Sequence, residues 1–123
     1  MSIISRPRIL CVLSSSPQGF YLPEFAHPHE VLAPHCDLIV ASPLGGPTVL
    51  DPVSVELFKN DEYCVKFAKQ ESKLWLETRK LEDFLGRAKE FDAIFVVGGF
   101  GREYFLLLLF SISSTQCSFT FSH

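Results

Sequence analysis

Three uninterrupted apolar runs constrain this chain most. They are Ile9–Leu13 in "RILCVL", Leu38–Ala41 in "DLIVAS" and Ala93–Val97 in "FDAIFVVGG". Each is too short to be a helix, and none shows the alternation of a strand with one wet face. A short continuous apolar run fits a strand covered on both sides, as in a parallel sheet. The segments between the runs carry helical spacing. The order strand, helix, strand, helical excursion, strand implies a parallel sheet with helices on both faces. The expected fold class is therefore α/β, a three-layer flavodoxin-like parallel sheet.

The helical pieces have recognisable starts. "PEFAHPHEVLAPH" places Leu22, Phe25, Ala26, His29 and Leu32 on one side, with Pro23 in the first turn, where a missing N–H costs least. Asp51-Pro52 is an N-cap and first-position pair for a short helix through Phe58. Asn60, Asp61 and Glu62 open another, because acids in the first turn complement the helix dipole. Trp75, Leu76, Leu81, Phe84 and Leu85 give apolar faces to the next pieces, and Gly86 is a stop.

Composition excludes several classes. At 123 residues the chain is one domain at most, and 47% hydrophobic with 20% charged residues suits a globular chain. A net charge of -3 offers no basic footprint for nucleic acid. The run "YFLLLLFSI" is about half of the ~20 residues a membrane span needs. It lacks the basic residues and polar face of an interfacial helix, so burial as an extra strand suits it better. The four cysteines, Cys11, Cys36, Cys64 and Cys117, have no CxxC spacing. Reduced thiols and a cytoplasmic location are the expectation.

Composition breaks at Tyr104. Residues 104–123 contain no Asp, Glu, Lys or Arg, and are rich in Ser, Phe and Leu. Elements on a soluble surface need a polar face. The chain thus divides into residues 1–103 and an aberrant hydrophobic tail at 104–123.

Few residues carry chemistry. Glu24 sits in the first turn of the first helix, near the carboxyl edge of the sheet. Pro28, four residues on, cannot donate to the Glu24 carbonyl, so the helix should kink there or begin late. Glu24 has two readings: a functional carboxyl, or a first-turn acid favoured by the dipole. Gly98–Gly101, "GGFG", offers backbone N–H groups at a strand end, as an oxyanion nest or simply as a tight turn. His27, His29, His35 and Cys36 invite a metal reading, but His27 and His29 do not face each other on a helix, and a zinc helix wants i, i+4 spacing. No metal and no cofactor is expected. Cys117 has neither a basic neighbour nor a strand-to-helix turn, and Cys11 lies inside an apolar strand.

Taken together, "GFYLPEFAHPHEVL", "VASPLGGPTVLDPVSVELFKNDE", "KLWLETRKLEDF" and "FDAIFVVGGFG" resemble the ThiJ/PfpI superfamily over roughly residues 8–101. Within it they look most like the glyoxalase III, or D-lactate dehydratase, chaperone branch of the class I glutamine amidotransferase-like fold. The resemblance implies cofactor-free conversion of a small α-oxoaldehyde such as methylglyoxal to D-lactate. A cysteine thiolate would add to the aldehyde, and a glutamate matched by Glu24 would move a proton between the two carbons. Gly98, Gly99 and Gly101 match the oxyanion-side loop, although Phe100 stands where the branch usually has His.

The family's Ala-Val-Cys-His-Gly-like nucleophile elbow has no counterpart in these residues. The expectation is an N-terminal half, truncated at the C-terminal side and inactive alone, with no nucleophile of its own. On that reading the tail is translated non-coding sequence, such as a retained intron or a shifted frame, and stability should be low. A second expectation is a non-catalytic chaperone-like fragment. Its open sheet edge would invite pairing as a homo- or heterodimer.

Overall fold

The structure, a computed structural model, describes residues 6–98 and, as backbone only, residues 118–121. Strands β1 (Arg8–Val12), β2 (Asp37–Ser42), β3 (Arg79–Lys80), β4 (Ala93–Val96) and β5 (Ser118–Phe121) form one sheet in the order β3-β2-β1-β4-β5. All four pairings are parallel. Helices α1 (Leu22–Leu32), α2 (Pro52–Leu57), α3 (Glu62–Gln70) and α4 (Lys73–Leu76) precede two short 3₁₀ turns, Leu81–Phe84 and Ala88–Glu90.

The apolar runs pack into a core on both faces, as their continuity requires, although Leu38, Ile39 and Ala93 are only half-buried. Ile9, Cys11 and Leu13 point into one core with Phe20, Phe25, Phe67 and Trp75. Leu10 and Val12 point into the other with Leu81, Phe84, Ala88 and Phe91. The period-two alternation of a strand therefore separates two apolar layers rather than an inside from an outside. The flavodoxin-like, three-layer expectation holds.

Local signals explain the helix ends. Asp51 accepts from the Val53 N–H at 2.9 Å and Asp61 from the Cys64 N–H at 3.0 Å, so both acids are N-caps. The cap of α3 is thus Asp61, one residue after Asn60. Gly86 has φ +76°, a left-handed stop after the first 3₁₀ turn. At the other end of α1, the Arg6 guanidinium donates to the Ala33 and Cys36 carbonyls, each at 2.9 Å, and pairs with Asp37.

The structure adds to the sequence reading at three places. Of the two alternatives at Pro28, a kink or a late start, the late start is corrected: helix α1 begins at Leu22, ahead of Glu24, and continues through Pro28. One forfeited hydrogen bond is outweighed by the burial of Leu22, Phe25, Ala26 and His29 and by outside anchors at its first turn. Strand β3 has no apolar run to announce it; both residues are exposed and pair at the carboxyl end of β2. Lastly, β5 lies along the outer edge of β4 from Ala93–Ser118 to Val96–Phe121, so the sheet ends at β3 and β5 rather than at β4. The strand comes from the tail, but Tyr104–Ile112, where an extra strand was expected, lies outside the described residues.

Candidate functional site

Strand β1 has β2 on one side and β4 on the other, so the chain leaves it in one direction and later returns on the opposite flank. In open α/β sheets such a switch point leaves a crevice beyond the carboxyl ends of the two diverging strands. Two segments meet there: residues 13–21, which lead from β1 to α1, and Val97–Gly98, which follow β4.

Hydrogen bonds lock these loops together. The Tyr21 N–H donates to the Gly98 carbonyl at 3.1 Å, and the Glu24 N–H donates to the Tyr21 carbonyl at 3.1 Å. The backbone of Glu24, half-buried on the first turn of α1, is therefore joined through Tyr21 to Gly98. The same turn is fixed from α2: the buried Ser54 hydroxyl accepts from the Leu22 N–H at 2.9 Å and donates to the Asp51 carbonyl at 2.7 Å. Gly99 and Gly101, expected beside Gly98, lie outside the described residues, as does Cys117.

The loop after β2 is built as tightly. Gly45 and Gly46 both take left-handed φ, +72° and +69°. Thr78 donates its hydroxyl hydrogen to the Gly46 carbonyl at 2.6 Å, so Ser42, 2.7 Å away, must donate to Thr78. Ser42 in turn accepts from the Gly45 N–H at 3.0 Å. Ser42, Ser54 and Thr78 went unnoticed in the sequence because single Ser and Thr residues carry no periodic signal. Their importance appears only through partners 32 to 36 residues away.

The described thiols are either buried or placed before the amino end of β2. Cys11 is fully buried in β1, and burial, reinforced by Cys36, pushes its thiol up to about 12. Cys36 precedes the amino end of β2. Cys64 is fully buried in the first turn of α3, and burial together with the nearby Asp61 charge pushes it up to about 12. Both buried thiols are protonated at neutral pH and are poor nucleophiles.

The histidines separate. His35 is exposed, and His29 packs edge-on against Phe25 and Phe67 with its Nδ1 2.8 Å from the Tyr63 hydroxyl. Burial lowers the His29 pKa, which favours a neutral ring. His27 instead meets residues of α3: its Nε2 lies 2.7 Å from Asp61 Oδ2 and 3.6 Å from Cys64 Sγ. The cysteine that joins a histidine is thus Cys64 rather than Cys36. This trio is not a nucleophile–base–acid relay, because such a relay uses both ring nitrogens and here both contacts fall on Nε2.

Among solved structures, the chain aligns with Rapid Encystment Protein 24 KDa of Francisella tularensis at a TM-score of 0.62 and 27% identity, over 75% of this chain and 44% of that one. It aligns with the crystallographic structure of APC35852 at a TM-score of 0.71 and 25% identity, over 95% of this chain and 56% of that one. Both neighbours are ThiJ/PfpI-like. The chain spans about half the length of each. No protein-family profile and no curated protein sequence matches it. Among the described residues, no helix is long and apolar enough to cross a membrane.

Proposed function

We propose that this chain carries one half of a ThiJ/PfpI-type site for small α-oxoaldehydes such as methylglyoxal, of the cytoplasmic, glyoxalase III or D-lactate dehydratase kind. The observation that carries the reading is the tie between Glu24 and Gly98 through Tyr21 at the switch point of the sheet. Glu24 is the acid–base group, moving a proton between the two substrate carbons. The glycine turn at Gly98, continuing through Gly99 and Gly101, supplies N–H donors to the oxyanion. The nucleophilic thiolate comes from outside residues 1–98, since the described thiols are buried or at the wrong end of the sheet.

The chain alone is therefore inactive, and purified protein given methylglyoxal forms no D-lactate above background. The positive test joins residues 1–98 to the C-terminal half of an active α-oxoaldehyde-converting member of the superfamily. That chimera forms D-lactate, and Glu24→Gln lowers kcat about 100-fold or more, the scale of a lost general acid–base. An unchanged rate in Glu24→Gln, or D-lactate formation by the unjoined chain, refutes the assignment.

The exposed apolar residues of α2 favour a second reading, a chaperone-like or partner-binding piece acting without catalysis. Val53 and Leu57, one helical turn apart, are 61% and 64% exposed, and Leu44 is 70% exposed. This reading expects the chain to suppress aggregation of a client at substoichiometric amounts, and Leu57→Asp to abolish the effect. A wild-type chain that precipitates with the client, or a Leu57→Asp variant of full potency, excludes it.

A further inference from the structure

The contact between α1 and α3 gathers three different metal-ligating groups at one point. His27 offers Nε2, Asp61 a carboxylate oxygen and Cys64 its Sγ, and these atoms all lie within 4.8 Å of one another. We infer that His27, Asp61 and Cys64 form a binding site for a divalent transition metal of zinc-like chemistry, with a fourth position open to water. The inference is independent of the α-oxoaldehyde reading, since it uses His27, Asp61 and Cys64 where α1 meets α3, and none of the residues assigned to that reading.

Geometry carries it. Zinc bonds of about 2.0–2.3 Å in a tetrahedron put neighbouring ligand atoms about 3.2–3.8 Å apart. The His27 Nε2 to Cys64 Sγ separation of 3.6 Å already falls in that range. The His27 to Asp61 separation of 2.7 Å is a hydrogen bond, and it need open only by about half an ångström to become a ligand edge. Asp61 has an oxygen to spare: Oδ1 caps α3 by accepting from the Cys64 N–H, while Oδ2 faces His27. One carboxylate can thus hold the helix and the metal together.

Convergence distinguishes this cluster from an incidental ion pair. A surface His–Asp pair needs no thiol behind it, and a packed thiol needs no pair in front. Here the imidazole nitrogen is shared between both, as it would be around a single ion. Burial is graded in the same sense: Cys64 is fully buried, whereas the His27 and Asp61 side chains are 47% and 29% exposed. The thiol therefore forms the floor, and the remaining coordination position faces solvent. An imidazole, a carboxylate and a thiol suit zinc, and cobalt is its spectroscopic stand-in. Binding is balanced by proton release: the metal–sulfur bond replaces the Cys64 S–H bond, and that proton leaves to buffer.

The test titrates cobalt(II), then zinc(II), into the reduced 123-residue chain. The expected result is a near-ultraviolet thiolate-to-cobalt absorption that saturates at one equivalent and that zinc abolishes. Cys64→Ser removes the absorption, while Cys36→Ser and Cys117→Ser retain it. Because Cys64 packs in the core, His27→Gln and Asp61→Asn provide a second arm that spares the core and keeps a capping oxygen at position 61. Each should weaken cobalt binding by about 100-fold or more, beyond what outer-shell changes cost. An absent band in the folded chain overturns the site. So does a band that survives Cys64→Ser, or affinities unchanged in both His27→Gln and Asp61→Asn.

Discussion

Replacing Gly19 with alanine should destabilise the chain by about 3 kcal/mol or more, the sum of left-handed strain and the loss of a backbone bridge. Gly19 has φ +87°, and a Cβ there would stand 2.4 Å from the Val49 carbonyl oxygen and 3.0 Å from the Asp51 nitrogen. Those atoms cannot step aside cheaply. The Val49 carbonyl accepts from the Phe20 N–H at 3.0 Å, and the Asp51 N–H donates to the Phe20 carbonyl at 3.0 Å. An alanine must break this bridge or push the loop off it, and the same loop delivers Tyr21 and the first turn of α1 to the candidate site. Gly46→Ala is the control: φ is +69° but no atom lies within 4 Å of its Cβ position, so only the conformational penalty of about 1–2 kcal/mol remains. Urea unfolding followed by Trp75 fluorescence separates the two. Equal midpoints for Gly19→Ala and Gly46→Ala would mean that the bridge from Phe20 to Val49 and Asp51 yields to a side chain.

Gly19 also shows where sequence reading stops. A glycine in "SSSPQGF" signals a turn, but not that the opposing wall is the backbone of residues 49–51. The apolar runs announced β1, β2 and β4 because burial on two faces leaves a mark on every residue of the strand. Asp51, Asp61 and Gly86 announced helix ends because caps act within a few residues. Strand β3 went unseen: Arg79 and Lys80 join the sheet through backbone alone, and exposed side chains leave no pattern. Helix α1 overrode its Pro28 because packing of Phe25, Ala26 and His29 exceeds one missing hydrogen bond. Glu24 was legible as a first-turn acid, yet its tie to Gly98 joins residues more than 70 positions apart. The partners of His27 likewise came from α3, and only tertiary packing brings Asp61 and Cys64 to it.

Phe67→Ala should be the most damaging single truncation in the helical layer, lowering stability by about 3–5 kcal/mol as large aromatic deletions from cores do. Phe67 is the hub where α1, α3 and α4 meet: its ring centroid lies 5.3 Å from Phe25, 5.0 Å from His29 and 5.4 Å from Trp75. The first two contacts are edge-on and the third is stacked, so alanine forfeits quadrupole-matched pairs as well as apolar area. Since domains are stable by only about 5–15 kcal/mol, this loss takes a large share of the total. Trp75 is the sole tryptophan, which makes the effect local as well as global. Phe84→Ala, on the opposite face against Phe91, should also lower the unfolding midpoint but leave the native emission of Trp75 unchanged. Phe67→Ala should shift both, because it strips the ring stacked on the indole. If native emission is the same in Phe67→Ala and the loss is under about 1 kcal/mol, well below the range for buried aromatics, then α3 does not pack on α1 through this residue. The candidate metal site on the same interface would lose its floor with it, because Cys64 and Phe67 enter that core from one face of α3.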